Sequence, residues 1–144
     1  MSISMTLRDL LAGVTEPATA GDIVVSGLNL DSRRVRPGDA FIALKGGTTH
    51  GIEFASKALE QGAVVILAES SDESRVPSPE SRVPTLWINN LRHHLGAIAA
   101  RFFNHPSSTL TVIGVTGTNG KTSTVQMLAQ ALDLLGHRAA SIGT

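Results

Sequence analysis

The stretch Gly114-Val-Thr-Gly-Thr-Asn-Gly-Lys-Thr122 constrains this chain more than any other part of it. Residues 111–115 before it are mostly β-branched and read as a strand, while residues 122–135 after it place Val125, Leu128, Ala129 and Leu132 on one helical face. A strand, a glycine-bearing loop and a helix in that order form a phosphate-binding turn. Glycines at 117 and 120 free the backbone to offer several amides to one anion, and the start of the helix adds the positive end of its dipole. Lys121 is then placed for the β- and γ-phosphates of a nucleotide, and the hydroxyl of Thr122 for the Mg²⁺ that bridges them. The strict pattern has glycine six positions before the lysine, where this chain has Val115, with its glycines at 114 and 117 instead. Residues 138–142 begin another strand, which completes a βαβ unit stable only within a larger, mostly parallel sheet.

The residues before this unit read as a small α/β domain of their own. Thr6 is suited to cap a short helix reaching Leu11, and residues 23–30 read as a strand. Turn residues fill Asp31-Ser-Arg-Arg-Val-Arg-Pro-Gly-Asp39, and residues 40–44 form a second strand that runs into Gly46-Gly-Thr-Thr-His-Gly51, a candidate binding loop. Ile52, Ala55, Ala58 and Leu59 share a helical face that Gly62 closes with a left-handed cap. Strands are expected at 63–68 and 85–88, with a proline-containing surface loop over 70–84 between them. Asn90 is expected to cap a helix carrying Leu91, Leu95, Ile98 and Phe102 on one face, and Asn104-His-Pro-Ser-Ser108 breaks it. The domain boundary is placed at this break, giving residues 1–107 and 108–144.

Composition narrows the partners. Twelve Lys+Arg balance twelve Asp+Glu, so the chain lacks the broad positive field that nucleic acid or an anionic membrane surface attracts. Without cysteine it has no disulfides, thiolate metal sites or cysteine nucleophile. Its first residues lack the apolar core of a secretory signal, and Ala63-Val-Val-Ile-Leu-Ala68 is far shorter than the roughly 20 residues a spanning helix needs. The expected location is the cytoplasm. His93 and His94 are adjacent rather than three or four apart, so they do not form a helical metal pair, and His50, His105 and His137 stand alone in loops. Trp87 reads as core, and Arg33, Arg34, Arg36 and Lys45 as solvated charges near turns that could also approach a diphosphate.

Thr116-Gly-Thr-Asn-Gly-Lys-Thr122 resembles the variant phosphate loop of the Mur ligases and their folate-ligase relatives. Upstream, Leu30-Asp-Ser-Arg33, Pro37-Gly-Asp-Ala-Phe-Ile-Ala43, Lys45-Gly46 and Gly51 are similar to the uridine-nucleotide-binding domain of the ligases that add the third residue or the terminal dipeptide. Leu135-Gly-His-Arg and Ile142-Gly-Thr144 are most similar to the third-residue ligases. The resemblance spans nearly the whole chain. It implies an N-terminal α/β uridine-nucleotide-binding domain followed by the first βαβ unit of a truncated P-loop ATPase-type central domain. It also implies a reaction in which ATP, with Mg²⁺, phosphorylates the carboxylate of UDP-N-acetylmuramoyl-L-alanyl-D-glutamate. The amine of diaminopimelate or lysine then displaces phosphate from the acyl phosphate to form an amide.

By the same resemblance Gly117, Thr118, Asn119, Gly120, Lys121, Thr122 and Ser123 hold the nucleotide, Lys121 is catalytic and Thr122 is a metal ligand. Leu30 and Ser32 meet the uridine end of the substrate, and Gly47, Thr48 and Thr49 line its other side. A common version of the family carries a His-Gln pair where Gly47-Thr48 stand here. The remaining Mg²⁺ ligands, the adenine pocket and the site for the incoming amino acid are expected beyond Thr144, so the chain alone is expected to be inactive. Competing readings are the dipeptide-adding ligase and a non-enzymatic nucleotide-binding module. A regulatory GTPase fits worse, because no guanine-reading motif follows the loop.

Overall fold

A computed structural model describes residues 3–70 and 83–143. The expected surface loop at 70–84 falls largely on residues 71–82, outside the described residues. The chain divides into two compact units, Met1–Ser108 and Thr109–Thr144.

The first unit begins with β1 (Met5–Thr6) and the one-turn helix α1 (Leu7–Leu10), whose N-terminus is capped as expected by the Thr6 hydroxyl accepting from the Asp9 amide at 3.2 Å. β2 (Val24–Val25) pairs antiparallel with β1, and β3 (Gly27–Asn29) pairs parallel with β4 (Asp39–Ala43). The single strand expected over 23–30 is therefore two, belonging to different sheets. The break falls at Ser26, whose amide donates to Gly38 O at 2.9 Å instead of joining either ladder. Apolar alternation marks both pieces as extended but carries no information about which neighbour each one meets.

Beyond β4, a 3₁₀ turn (Gly51–Phe54) leads into α2 (Ala55–Glu60), followed by β5 (Val65–Glu69), β6 (Thr85–Ile88) and α3 (Leu91–Phe102). The main sheet has the order β3-β4-β5-β6 and is parallel throughout. All five residues of β4 and the first four of β5 are buried, as a parallel sheet covered on both faces requires. Alternate side chains enter two separate clusters. Ala40, Ile42, Val65 and Leu67 join Leu7, Leu10 and the α3 residues Leu91, Ile98 and Phe102 on one face. Phe41, Ala43, Ile66 and Ala68 join Ile52, Ala55 and Ala58 on the other. Both helical faces read from periodicity are the buried ones. Gly62 ends α2 as expected, at φ +97, where an added Cβ would lie 2.8 Å from Pro37 Cα.

Asn90 occupies the cap position of α3 but does not act as its cap. It lies in the left-handed region at φ 52 and its side chain makes no capping bond. An acceptor from the sheet serves that end instead: Glu69 Oε1 takes the Arg92 amide at 3.0 Å.

The second unit contains α4 (Lys121–Leu134), on which Val125, Leu128, Ala129 and Leu132 are half-buried and the rest exposed. The strands expected at 111–115 and 138–142 do not form: neither segment makes ladder bonds, and no strand occurs among the unit's described residues. A strand exists only through hydrogen bonds to a neighbour, and these two segments do not pair with each other. Among the described residues no helix is long and apolar enough to cross a membrane.

Candidate functional site

Because the main sheet is parallel, the segments leaving the carboxyl ends of its strands gather along one edge, where open α/β sheets bind ligands. Leu30 and Ser32 follow β3, and Gly47, Thr48 and Thr49 follow its neighbour β4, so the sheet brings the two halves of the sequence-predicted substrate site to a common edge. Leu30 is 55% exposed, unusual for a leucine at a strand end. Ser32 is the reverse, a buried hydroxyl with 6% exposure and no hydrogen-bond partner among the described residues. An unsatisfied buried hydroxyl is costly unless a ligand or water completes it.

The loop after β4 is a small hairpin. Lys45 and His50 form an isolated antiparallel bridge, and Gly46 N donates to Thr49 O at 3.0 Å, leaving Gly47, Thr48 and Thr49 exposed at the tip. His50 is buried beneath it. Its Nδ1 accepts from the Ile52 amide at 3.0 Å and its Nε2 lies 2.9 Å from Glu69 O, an arrangement satisfied by the neutral ring protonated on Nε2. The ring also sits tilted against Trp87, 6.0 Å between centroids.

Glu69, at the end of β5, joins this hairpin to α3. One carboxylate oxygen accepts the Lys45 amide and the other the Arg92 amide, each at 3.0 Å, while the Arg92 guanidinium donates to Lys45 O at 2.8 Å. Partial burial pushes the Glu69 carboxyl up, but the amide bonds from Arg92 and Lys45 and the charge of Arg92 outweigh it. The group lies below its ordinary value. Sequence reading missed Glu69, Arg92 and the role of His50. A polar residue ending an apolar strand was the only available signal.

The four cations considered for a diphosphate differ. Arg33 is engaged bidentately by Asp31, at 2.9 and 2.8 Å, and that hydrogen bond is the first cause holding the Asp31 carboxyl down at about 2. Arg33, Arg34 and Arg36 are all exposed and line a separate groove of about 610 Å³ with Ile3, Phe102 and Phe103, which none of the predicted substrate residues reaches, while Lys45 is exposed at the base of the hairpin after β4.

In the second unit the phosphate loop stands open. Gly117 has φ 149 and Gly120, at the N-cap of α4, has φ 74, conformations that suit glycine. The amides of Thr118, Asn119 and Gly120 have no acceptor among the described residues. The Thr122 hydroxyl likewise has no partner among them. Lys121 Nζ folds back to donate to Gly117 O at 2.6 Å, and Lys121 is the only Lys or Arg between residues 109 and 137. Unbonded amides, a helix N-terminus and a lone cation together suit a phosphate chain, and a free hydroxyl oxygen suits a hard cation such as Mg²⁺.

A parallel sheet with two loops gathered at its carboxyl edge, followed by a glycine-bearing loop that opens a helix, is an α/β arrangement suited to holding a nucleotide. The model of the Mur ligase family catalytic domain matches residues 24–103, and that of the Mur ligase middle domain matches residues 115–144. The chain belongs to the Mur ligase family. It is 49% identical over 144 residues to the UDP-N-acetylmuramoyl-L-alanyl-D-glutamate--2,6-diaminopimelate ligase of Xylella fastidiosa (strain 9a5c), covering all of this chain and 28% of that protein. Among solved structures, the UDP-N-acetylmuramoylalanyl-D-glutamyl-2,6-diaminopimelate--D-alanyl-D-alanyl ligase of Acinetobacter baumannii aligns with TM-score 0.66 and 25% identity, over 94% of this chain and 29% of that one. The MurF ligase of Thermotoga maritima in complex with ADP aligns with TM-score 0.56 and 31% identity, over 74% of this chain and 23% of that one. The chain thus spans a little over a quarter of the length of the curated relative it matches.

Proposed function

We propose that this chain supplies the uridine-nucleotide-binding and phosphate-binding parts of a cytoplasmic, ATP-dependent amide ligase. The enzyme adds diaminopimelate to UDP-N-acetylmuramoyl-L-alanyl-D-glutamate in peptidoglycan precursor synthesis. Residues 1–107 form the substrate-binding domain, and 108–144 the start of the ATP-binding central domain. The observation that carries this reading is the open loop before α4, with three amides that have no acceptor among the described residues and Lys121 on a helix N-terminus. The choice of substrate is supported by the 49% identity, over every residue, to a ligase of that name.

When bound, ATP supplies the phosphoryl group that activates the substrate carboxylate, and Mg²⁺ neutralises its charge. The residues of this chain bind and orient. Gly117, Thr118, Asn119 and Gly120 donate backbone amides to the phosphates, with Ser123 beside them at the start of α4. Lys121 exchanges its bond to Gly117 O for the phosphate charge, and the Thr122 hydroxyl is a metal ligand. At the sheet edge Leu30 provides apolar cover for the uridine and Ser32 a hydroxyl with no partner among the described residues, while Gly47, Thr48 and Thr49 close the other side.

Amide NMR titrations of the 144-residue chain test the assignment. UDP should shift residues 30, 32 and 47–49, and Mg·ATP residues 117–123. Phosphate release with all substrates present should be absent, because a phosphate loop alone is only part of a phosphoryl-transfer site. UDP shifts confined to the second unit, or substrate-dependent phosphate release by this chain, would overturn the reading.

A further inference from the structure

We propose that Glu69 is the positioning residue of the substrate loop: its carboxylate bolts the base of the 45–50 hairpin to the first turn of α3 and so holds Gly47, Thr48 and Thr49 in place. The hairpin is exposed from Lys45 to Thr49 and carries two adjacent glycines, Gly46 and Gly47, so beyond the bond from Gly46 N to Thr49 O and the Lys45–His50 bridge little within it restricts its conformation. Its restraint comes from below. Glu69 Oε2 takes the Lys45 amide, and Glu69 Oε1 takes the Arg92 amide on α3. Glu69 O receives His50 Nε2 at the other leg of the hairpin, and Arg92 closes the ring by donating to Lys45 O. Both legs are thereby tied to the end of one central strand, and that strand's buried residues make it a rigid reference.

A carboxylate is the side chain suited to this task, because it alone offers two acceptor oxygens and no donor to two amides held on separate elements. In Glu69→Gln the size is kept, but one of the two oxygens becomes an amino group facing an amide N–H, so one tie is lost. The consequence for uridine binding rests on the functional reading above. The consequence for the hairpin does not.

Two measurements on the 144-residue chain separate them. Without ligand, hydrogen exchange of the Gly46 and Gly51 amides, bonded to Thr49 O and Leu44 O, should quicken about tenfold in Glu69→Gln as the hairpin opens locally. Unchanged exchange there would overturn the proposal whatever the hairpin binds. With UDP, dissociation constants should rise about fivefold in Glu69→Gln if the competent loop falls to about a fifth of the population. Arg92→Ala, an exposed substitution that removes the bond to Lys45 O and a positive charge near Glu69 but keeps both amide bonds to its carboxylate, should move both readouts the same way by a smaller factor. Faster exchange with wild-type UDP affinity would overturn the positioning role alone. Absence of UDP shifts at residues 30, 32 and 47–49 in the wild type would instead overturn the uridine reading.

Discussion

Gly51→Ala tests how closely the end of the 45–50 hairpin must approach β4. The Cβ it adds would lie 2.9 Å from Ala43 Cα, 3.0 Å from Leu44 N and 3.1 Å from Ala43 C. Carbon atoms prefer separations of about 3.5–4.0 Å, and these neighbours are backbone of a buried strand that cannot swing aside as a side chain would. The chain has to retreat by several tenths of an ångström, which stretches the 2.9 Å bond from Gly51 N to Leu44 O that closes the hairpin. Overpacking of this kind costs about 1–3 kcal/mol, and its failure to relax here argues for about 2 kcal/mol. For a domain near 100 residues that lowers Tm by about 8–16 °C. Trp87 is the chain's single tryptophan and lies on β6, so its fluorescence on heating reports the first unit alone. Gly47→Ala is the control: nothing lies within 4 Å of its added Cβ, so its effect should stay within about 0.5 kcal/mol. A Gly51→Ala midpoint within about 2 °C of wild type would refute the close-approach argument.

In a full-length ligase carrying this loop, Lys121→Ala should lower the rate by far more than tenfold, about 1.4 kcal/mol of barrier, because no other Lys or Arg lies between residues 109 and 137; steady-state phosphate release decides it. Thr122→Ala should raise the Mg²⁺ concentration needed for half-maximal activity, and an unchanged metal titration would remove the hydroxyl from the metal shell. Asp31 should titrate at about 2 rather than 3.8, and Arg33→Ala should return it toward 3.8 in a carboxyl-detected NMR titration. Since the folded value is the lower one, whatever the pair contributes is present above 3.8 and disappears as pH falls toward about 2. At so exposed a site the stability change itself should be small.

Features that depend on short stretches of chain are legible in the amino-acid sequence alone. The glycine spacing around Lys121, the faces of α2, α3 and α4, the Thr6 cap and the left-handed Gly62 all follow from neighbours within a turn or two, and all are present. The Mur ligase wording of the phosphate loop belongs to the same class, since a phosphate cradle is built from consecutive amides. Pairing is not legible in that way. Residues 23–30 carry one continuous strand pattern, yet Val25 answers to Met5 and Gly27 to Asp39, and only the arrival of two different partners splits the segment at Ser26. The cap of α3 moves from the adjacent Asn90 to Glu69, 23 residues away from the amide it accepts, because the parallel sheet delivers that carboxylate to the helix end. His50 looks solitary in the sequence for the same reason, its partner Glu69 O lying 19 residues further along. Hydrogen bonds within a turn are set by backbone geometry that local composition encodes. Those between strand ends exist only once the sheet has chosen its order, and that choice depends on burying both faces of β4 and β5 at once.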